Sequence, residues 1–195
     1  MLNVVRIVDF NSSHLPGAYA VCLETSEPGG VVPSSGINPD LLGHVYVGPY
    51  LVRHPELASM VVDASGVAGY FMGTNNSLDF WEWCEAHWWP ALREQYPLTG
   101  SSDWNGKLVH LLHNPPTPPA DVVRKYPAHF HIDFLPRAQG GGLARRLIDE
   151  FVELVGVGVH LDVSRENTNA ISVYCHLGFE IVGEASESFY MGKNG

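Results

Sequence analysis

Residues 129–143 read HFHIDFLPRAQGGGL. An alternating apolar run with the pattern of a strand passes through Pro136 into three successive glycines, and a helical pattern starts at Leu143. A strand that hands bare backbone amides to a helix N-terminus is a place to hold phosphate. Downstream, Leu143, Leu147 and Phe151 recur every four residues with Ala144, Ile148 and Val152 beside them. Arg145, Arg146, Asp149 and Glu153 take the opposite side, which predicts an amphipathic helix. Val157 to Val163 alternates as a strand, so this part of the chain is a βαβ unit. Asn167 to Leu177 reads as a short helix stopped by Gly178, and Phe179–Val182 and Phe189–Met191 read as closing strands.

Upstream, Val4 to Phe10 is a β-branched run, and Leu15, Ala18, Tyr19 and Cys22 predict a helix to about Thr25. Residues 26–57 are rich in Pro, Gly and His and read as a long, substrate-facing connection with weak helical pieces. Ser59–Ala64 and Val67–Gly73 flank Ser65-Gly66, a dipeptide suited to a tight hairpin. Leu78 to Tyr96 is helical and aromatic, with Pro90 set to kink or restart it, and Lys107 to Leu112 is a second helical piece. Residues 77–127 thus form a helical insertion between the third and fourth strands of a mixed α/β fold. Trp81, Trp88 and Trp89 could line a groove there, although aromatics on a helix are more often core.

The 195 residues, 45% of them hydrophobic, suffice for one core, so residues 1–195 read as a single domain. A net charge of -10 argues against a nucleic-acid surface and mildly favours a cationic partner. Cys22, Cys84 and Cys175 are odd in number and scattered, which supports neither a disulfide framework nor a thiolate metal site. With no basic leader or long apolar segment visible, the expectation is a cytoplasmic protein without a membrane partner.

Arg145 and Arg146 lie in the first two turns of the helix after the glycines, where the macrodipole disfavours cations. Either they face a bound pyrophosphate or they pair with Asp149 and Glu150. No Walker run is present, the dinucleotide fingerprint needs glycine where Arg145 stands, and there is no GxSxG elbow. On the strand, His129, His131 and Asp133 share one face. Asp133 is the candidate base or amine anchor with His131 as its neighbour; a hydrogen-bonded structural set is the alternative. His129 and His131 lack further ligands at recognisable spacing, so no metal is expected.

Gln139, Gly140, Gly141, Gly142, Leu143 and Ala144 resemble the acetyl-CoA loop of the GNAT acetyltransferase superfamily. GVHLDVS (158–164) followed by ENTNAISVYCHLGFEIVGE (166–184) resembles its second signature. LLGHVYVGPYLV (41–52), WWPALREQY (88–96) and YPAHFHIDFLPRAQ (126–139) are further similar to the acetyltransferase-like C-terminal domain of animal O-GlcNAcases and its free-standing bacterial relatives. Those animal domains depart from the acetyl-CoA loop, whereas this chain keeps the glycines.

The resemblance implies a GNAT fold, a mixed sheet flanked by helices, that transfers acetyl from acetyl-CoA to a primary amine, either a small molecule or a protein lysine. It implies that Phe134 and Leu135 offer backbone groups to the pantetheine and thioester, and that the amides of Gly140, Gly142, Leu143 and Ala144 cradle the pyrophosphate. Arg137, Gln139, Gly141 and Arg145 complete the loop set, and Asn169 touches the pantetheine. Tyr174 sits near the sulfur as the acid for the departing thiolate, its alternative being an aromatic packed under Phe179. A second copy of the chain is a further candidate partner. A non-catalytic acetyl-CoA-binding or protein-interaction domain is the alternative reading of the whole.

Overall fold

The computed structural model describes residues 5–26 and 37–195. Their strands form one seven-stranded mixed sheet in the order β1-β2-β3-β4-β5-β7-β6. The strands are β1 (Arg6–Asp9), β2 (Ala58–Asp63), β3 (Gly66–Thr74), β4 (Ala128–Phe134), β5 (Val159–Ser164), β6 (Glu180–Glu184) and β7 (Ser188–Lys193). Every pairing is antiparallel except β4 with β5, which the helix α8 (Leu143–Val155) links as a parallel βαβ unit.

Alternation along β3 and β4 sends side chains to two different cores. On one side Tyr70 and Met72 pack with α1 (Leu15–Thr25), α2 (Pro39–Tyr46), α3 (Gly48–Arg53) and the helices between β3 and β4. On the other, Phe71 and Phe130 pack with Leu147, Ile148 and Phe151 of α8. Ile171 and Tyr174 of α9 (Thr168–His176) lean on this second core.

The connection read from residues 26–57 holds more structure than expected. Pro39 at the first turn and the Asn38 side chain, which accepts from the Asp40 amide at 2.9 Å, start α2. Leu41 and Leu42 anchor it in the core. Residues 27–36 of that connection, and Val4 of the first strand, lie outside the described residues.

Between β3 and β4 run α4 (Ser77–Trp83), a π-helical turn over Cys84–Trp88, α5 (Trp89–Gln95), α6 (Trp104–His113) and α7 (Ala120–Lys125). Pro90 disturbs the helix one turn earlier than its own position. It has no N–H for the Ala86 carbonyl, and the Trp89 amide reaches back five residues to Cys84 instead. The tryptophans are core: Trp89 is 6% exposed, while Trp81 and Trp88 pack against the same cluster.

A buried histidine ties this helical layer to β4. Ser77 Oγ donates to the Pro127 carbonyl at 2.7 Å, so His129 Nδ1–H donates to Ser77 Oγ at 2.6 Å and the Tyr50 hydroxyl donates to Nε2 at 2.7 Å. His129 is thereby held neutral. Burial, and then the neighbouring imidazoles, push its pKa well below the ordinary histidine value; burial lowers that of His160, whose Nδ1–H donates to the Tyr126 carbonyl at 2.6 Å. In the unfolded chain both rings take up protons near about pH 6.5, whereas the folded chain takes them up only at lower pH. The unfolded state therefore binds more protons below that value, and stability falls as pH is lowered through the window. The urea midpoint is expected to drop between about pH 7.5 and about pH 5; equal midpoints would contradict the neutral network.

Candidate active site

β4 and β5 pair at only two positions, Ala128 with Val159 and His129 with His160. Beyond them β4 follows β3 through Phe134, while β5 follows β7 through Ser164, and a gap opens between the two strands. The Ala128 amide donates toward β5 and the Leu135 amide toward β3, to the Ala68 carbonyl at 2.8 Å. Alternation then turns the N–H and C=O groups of Ile132 and Phe134 into the gap. The Phe134 carbonyl accepts from Gln139 Nε2 at 3.0 Å. Leu135 has no backbone group to spare, because its carbonyl also takes the Ala138 amide.

At the end of β4 the chain makes a short 3₁₀ turn, Pro136–Ala138, and reaches the glycines. Gly140, Gly141 and Gly142 have φ of +87°, +62° and +76°, a succession that residues with a Cβ avoid. Successive residues of one helical sense turn their amides the same way, and Gly142 is the N-cap of α8, with no side chain capping its first turn. Open space surrounds the Cβ positions of all three glycines. An accessible left-handed turn at the uncapped positive end of a helix suits a pyrophosphate.

The basic residues nearby are otherwise engaged. Arg137 pairs with Asp63 at 2.8 Å and donates to the Val67 carbonyl, so it staples the loop to the β2–β3 hairpin. Arg146 pairs with Glu150 at 2.8 Å. Arg145 leaves Asp149 to Lys193 and instead reaches the His176 carbonyl of α9 at 3.4 Å. Asn169 is exposed in the first turn of α9.

His131 and Asp133 stand on the part of β4 that has left β5, on the α1–α2 face. His131 Nε2 lies 3.1 Å from Asp133 Oδ2, and the side chains are 28% and 27% exposed. Nδ1–H of His131 donates to the Tyr46 carbonyl at 3.0 Å, and the Tyr70 hydroxyl donates to Asp133 Oδ2 at 2.5 Å. Burial opposes a charge on His131, but the Asp133 charge, its hydrogen bond and the Tyr46 carbonyl together raise the pKa. Its contribution to stability is thus present below the ordinary histidine value and lost as pH rises through the raised one, which offsets part of the His129 and His160 effect. His129, on the same face, belongs to the buried network and not to this pair.

Tyr174 rises from the opposite face, its ring 6.3 Å from Phe130 and 5.8 Å from Phe179. The packing expected as its alternative role is therefore present. Burial raises the phenol pKa and the Asp133 charge pushes the same way, so the hydroxyl keeps its proton at neutral pH. Three further residues escaped the sequence reading. Tyr46 and Tyr70 complete the His131–Asp133 pair. Asp162 of β5 stands two residues beyond the last β4–β5 pair, on the face of His160, and burial raises its pKa. Tyr70 had a signal in the hairpin alternation; the others depend on tertiary placement.

The fold overlaps "SsHAT" with a TM-score of 0.87 at 28% identity, over 97% of this chain and 98% of that one. It also overlaps the PaiA N-acetyltransferase from Thermoplasma acidophilum, solved in complex with coenzyme A, with a TM-score of 0.59 at 12% identity over 98% and 99% of the two chains. The chain has the GNAT acetyltransferase fold. A stretch of 78 residues, 40% of this chain, is 31% identical to protein O-GlcNAcase from Rattus norvegicus. The chain spans about 8% of the length of that curated relative. No family model matches.

The residues present fit the acetyl-CoA of a GNAT fold: an open strand edge runs, at the end of the same strand, into a left-handed glycine turn with open space at its Cβ positions. Gly141→Ala should cost about 1–2 kcal/mol of stability from its positive φ. It should also weaken acetyl-CoA binding roughly tenfold or more, because the methyl occupies space into which the ligand must press. Calorimetry with the folded variant checks this; wild-type affinity would remove the loop from the site.

Proposed function

We propose that the protein is an acetyl-CoA-dependent N-acetyltransferase acting on a primary amine. The observation that carries the reading is the position of the His131–Asp133 pair on the same free stretch of β4 whose backbone edge and glycine turn suit the acyl donor. Acetyl-CoA, when bound, supplies an acyl carbon activated as a thioester. The Phe134 amide, turned into the gap, is placed to donate to the developing oxyanion, where a preorganised donor has most effect. Gly140, Gly141, Gly142, Leu143 and Ala144 hold the diphosphate through backbone amides.

The acceptor arrives mostly as an ammonium, since a lysine-like amine has a pKa of about 10.4. Both ring nitrogens of His131 are directed at oxygens, Tyr46 O and Asp133 Oδ2, so neither faces an incoming amine. Asp133 Oδ2 is taken by His131 and Tyr70, and Oδ1 is the oxygen left to accept from the acceptor nitrogen and receive its proton. His131 orients the carboxylate. Tyr174 Oη donates its proton to the departing thiolate and regains one from the second N–H proton that the collapsing intermediate sheds, a modest service because a thiol pKa is roughly 8.5.

Thiol release from acetyl-CoA, measured against a panel of small amines, amino sugars and lysine peptides, tests the reading. With a productive acceptor, Asp133→Asn should lower kcat/KM by about 10²–10⁴-fold and Tyr174→Phe by roughly tenfold. Full activity in Asp133→Asn would remove its role. Absence of turnover across the panel with acetyl-CoA bound would favour a binding module.

A further inference from the structure

We propose that Tyr70 is a positioning residue of this site, a buried phenol that locks Asp133 so that Oδ1 alone faces the acceptor and that moderates the carboxylate's hold on His131. The proposal rests on the N-acetyltransferase reading for its purpose, but not for its test. Tyr70 is 0% exposed and sits in register with Asp133 across the β3–β4 ladder. Its ring belongs to the same apolar core as Met60, its partner on β2, and Met72, two residues on along β3, where phenylalanine would serve as well. A hydroxyl buried there is costly unless bonded. This one is bonded: its proton goes to Asp133 Oδ2 at 2.5 Å.

The polar atoms form one chain with the direction of each proton fixed. Tyr70 donates to Asp133 Oδ2, and His131 donates to that same oxygen and to the Tyr46 carbonyl. Two donors on Oδ2 hold the carboxylate in one orientation and withdraw charge from the oxygen that faces His131. Around the pair, the titratable groups are Tyr46 from α2, Cys22 from α1, Tyr70 from β3, His129 from β4 and Tyr174 from α9. Removing the Tyr70 hydroxyl leaves Oδ2 to His131 alone and strengthens its hold on the proton.

The experiment is an NMR titration of the His131 ring in wild type, Tyr70→Phe and Asp133→Asn, with thermal midpoints to establish folding. Tyr70→Phe should raise the His131 midpoint by about half a pH unit or more, and Asp133→Asn should move it below wild type. An unmoved midpoint in folded Tyr70→Phe, while Asp133→Asn moves it, overturns the proposal. Where Tyr70→Phe fails to fold, a fluorinated tyrosine incorporated at position 70 alone carries the test, because a more acidic phenol donates more strongly to Asp133 Oδ2: a lower His131 midpoint supports the proposal and an unmoved one overturns it. The titration needs neither acetyl-CoA nor turnover, so it is decided separately from the enzymatic reading. Given turnover, Tyr70→Phe should also lower kcat while KM for acetyl-CoA is unchanged; unaltered kcat overturns the positioning role.

Discussion

The site exists because β4 and β5 cannot stay paired. β4 is bonded to β3 along its length and β5 to β7, and the two hairpin-like halves share only two residue pairs before they part. At the point of parting, Phe130 meets Phe179 at 6.0 Å and Tyr174 at 6.3 Å, a wedge of rings beneath the opening. Backbone groups freed within a sheet are otherwise a liability, since each lost bond is unfavourable unless something else makes it. A ligand with alternating amide groups and a diphosphate at one end is the natural complement to such an edge followed by a glycine turn.

The two faces of the divided sheet have separate tasks. On the α1–α2 side, His131 and Asp133 are held by partners from α2 and β3: Tyr70 and His131 donate to Asp133 Oδ2, and His131 also donates to the Tyr46 carbonyl. On the α8 side, Tyr174 keeps its proton through burial. The glycine turn joins them at the end of β4, steadied by Arg137, whose guanidinium binds the β2–β3 hairpin.

Much of this was legible in the chain. Periodicity located the β2–β3 hairpin, although its two-residue turn is Ala64-Ser65, with Gly66 already paired to Asp63 and not in the turn as expected; it also located the α8 and α9 helices, because each is fixed by a local pattern and a local stop. The alternation of β4 placed His131 beside Asp133. It could not separate His131 from His129, since burial by Tyr50, Ser77 and Trp81 comes from elements distant in sequence. α2 and α3 were hidden by prolines that start helices there, not break them. The arginines were only half readable: Arg146 pairs with Glu150 at the expected i+4 spacing, whereas Arg145 is drawn away by a carbonyl of α9.

Titrating the purified protein with acetyl-CoA in a calorimeter decides whether the opened edge of β4 and the Gly140–Gly142 turn form an acetyl-CoA groove. Binding of one molecule per chain, with a raised thermal midpoint and competition from coenzyme A, is the predicted result. No heat and no thermal stabilisation would contradict it and leave the divided sheet without its ligand.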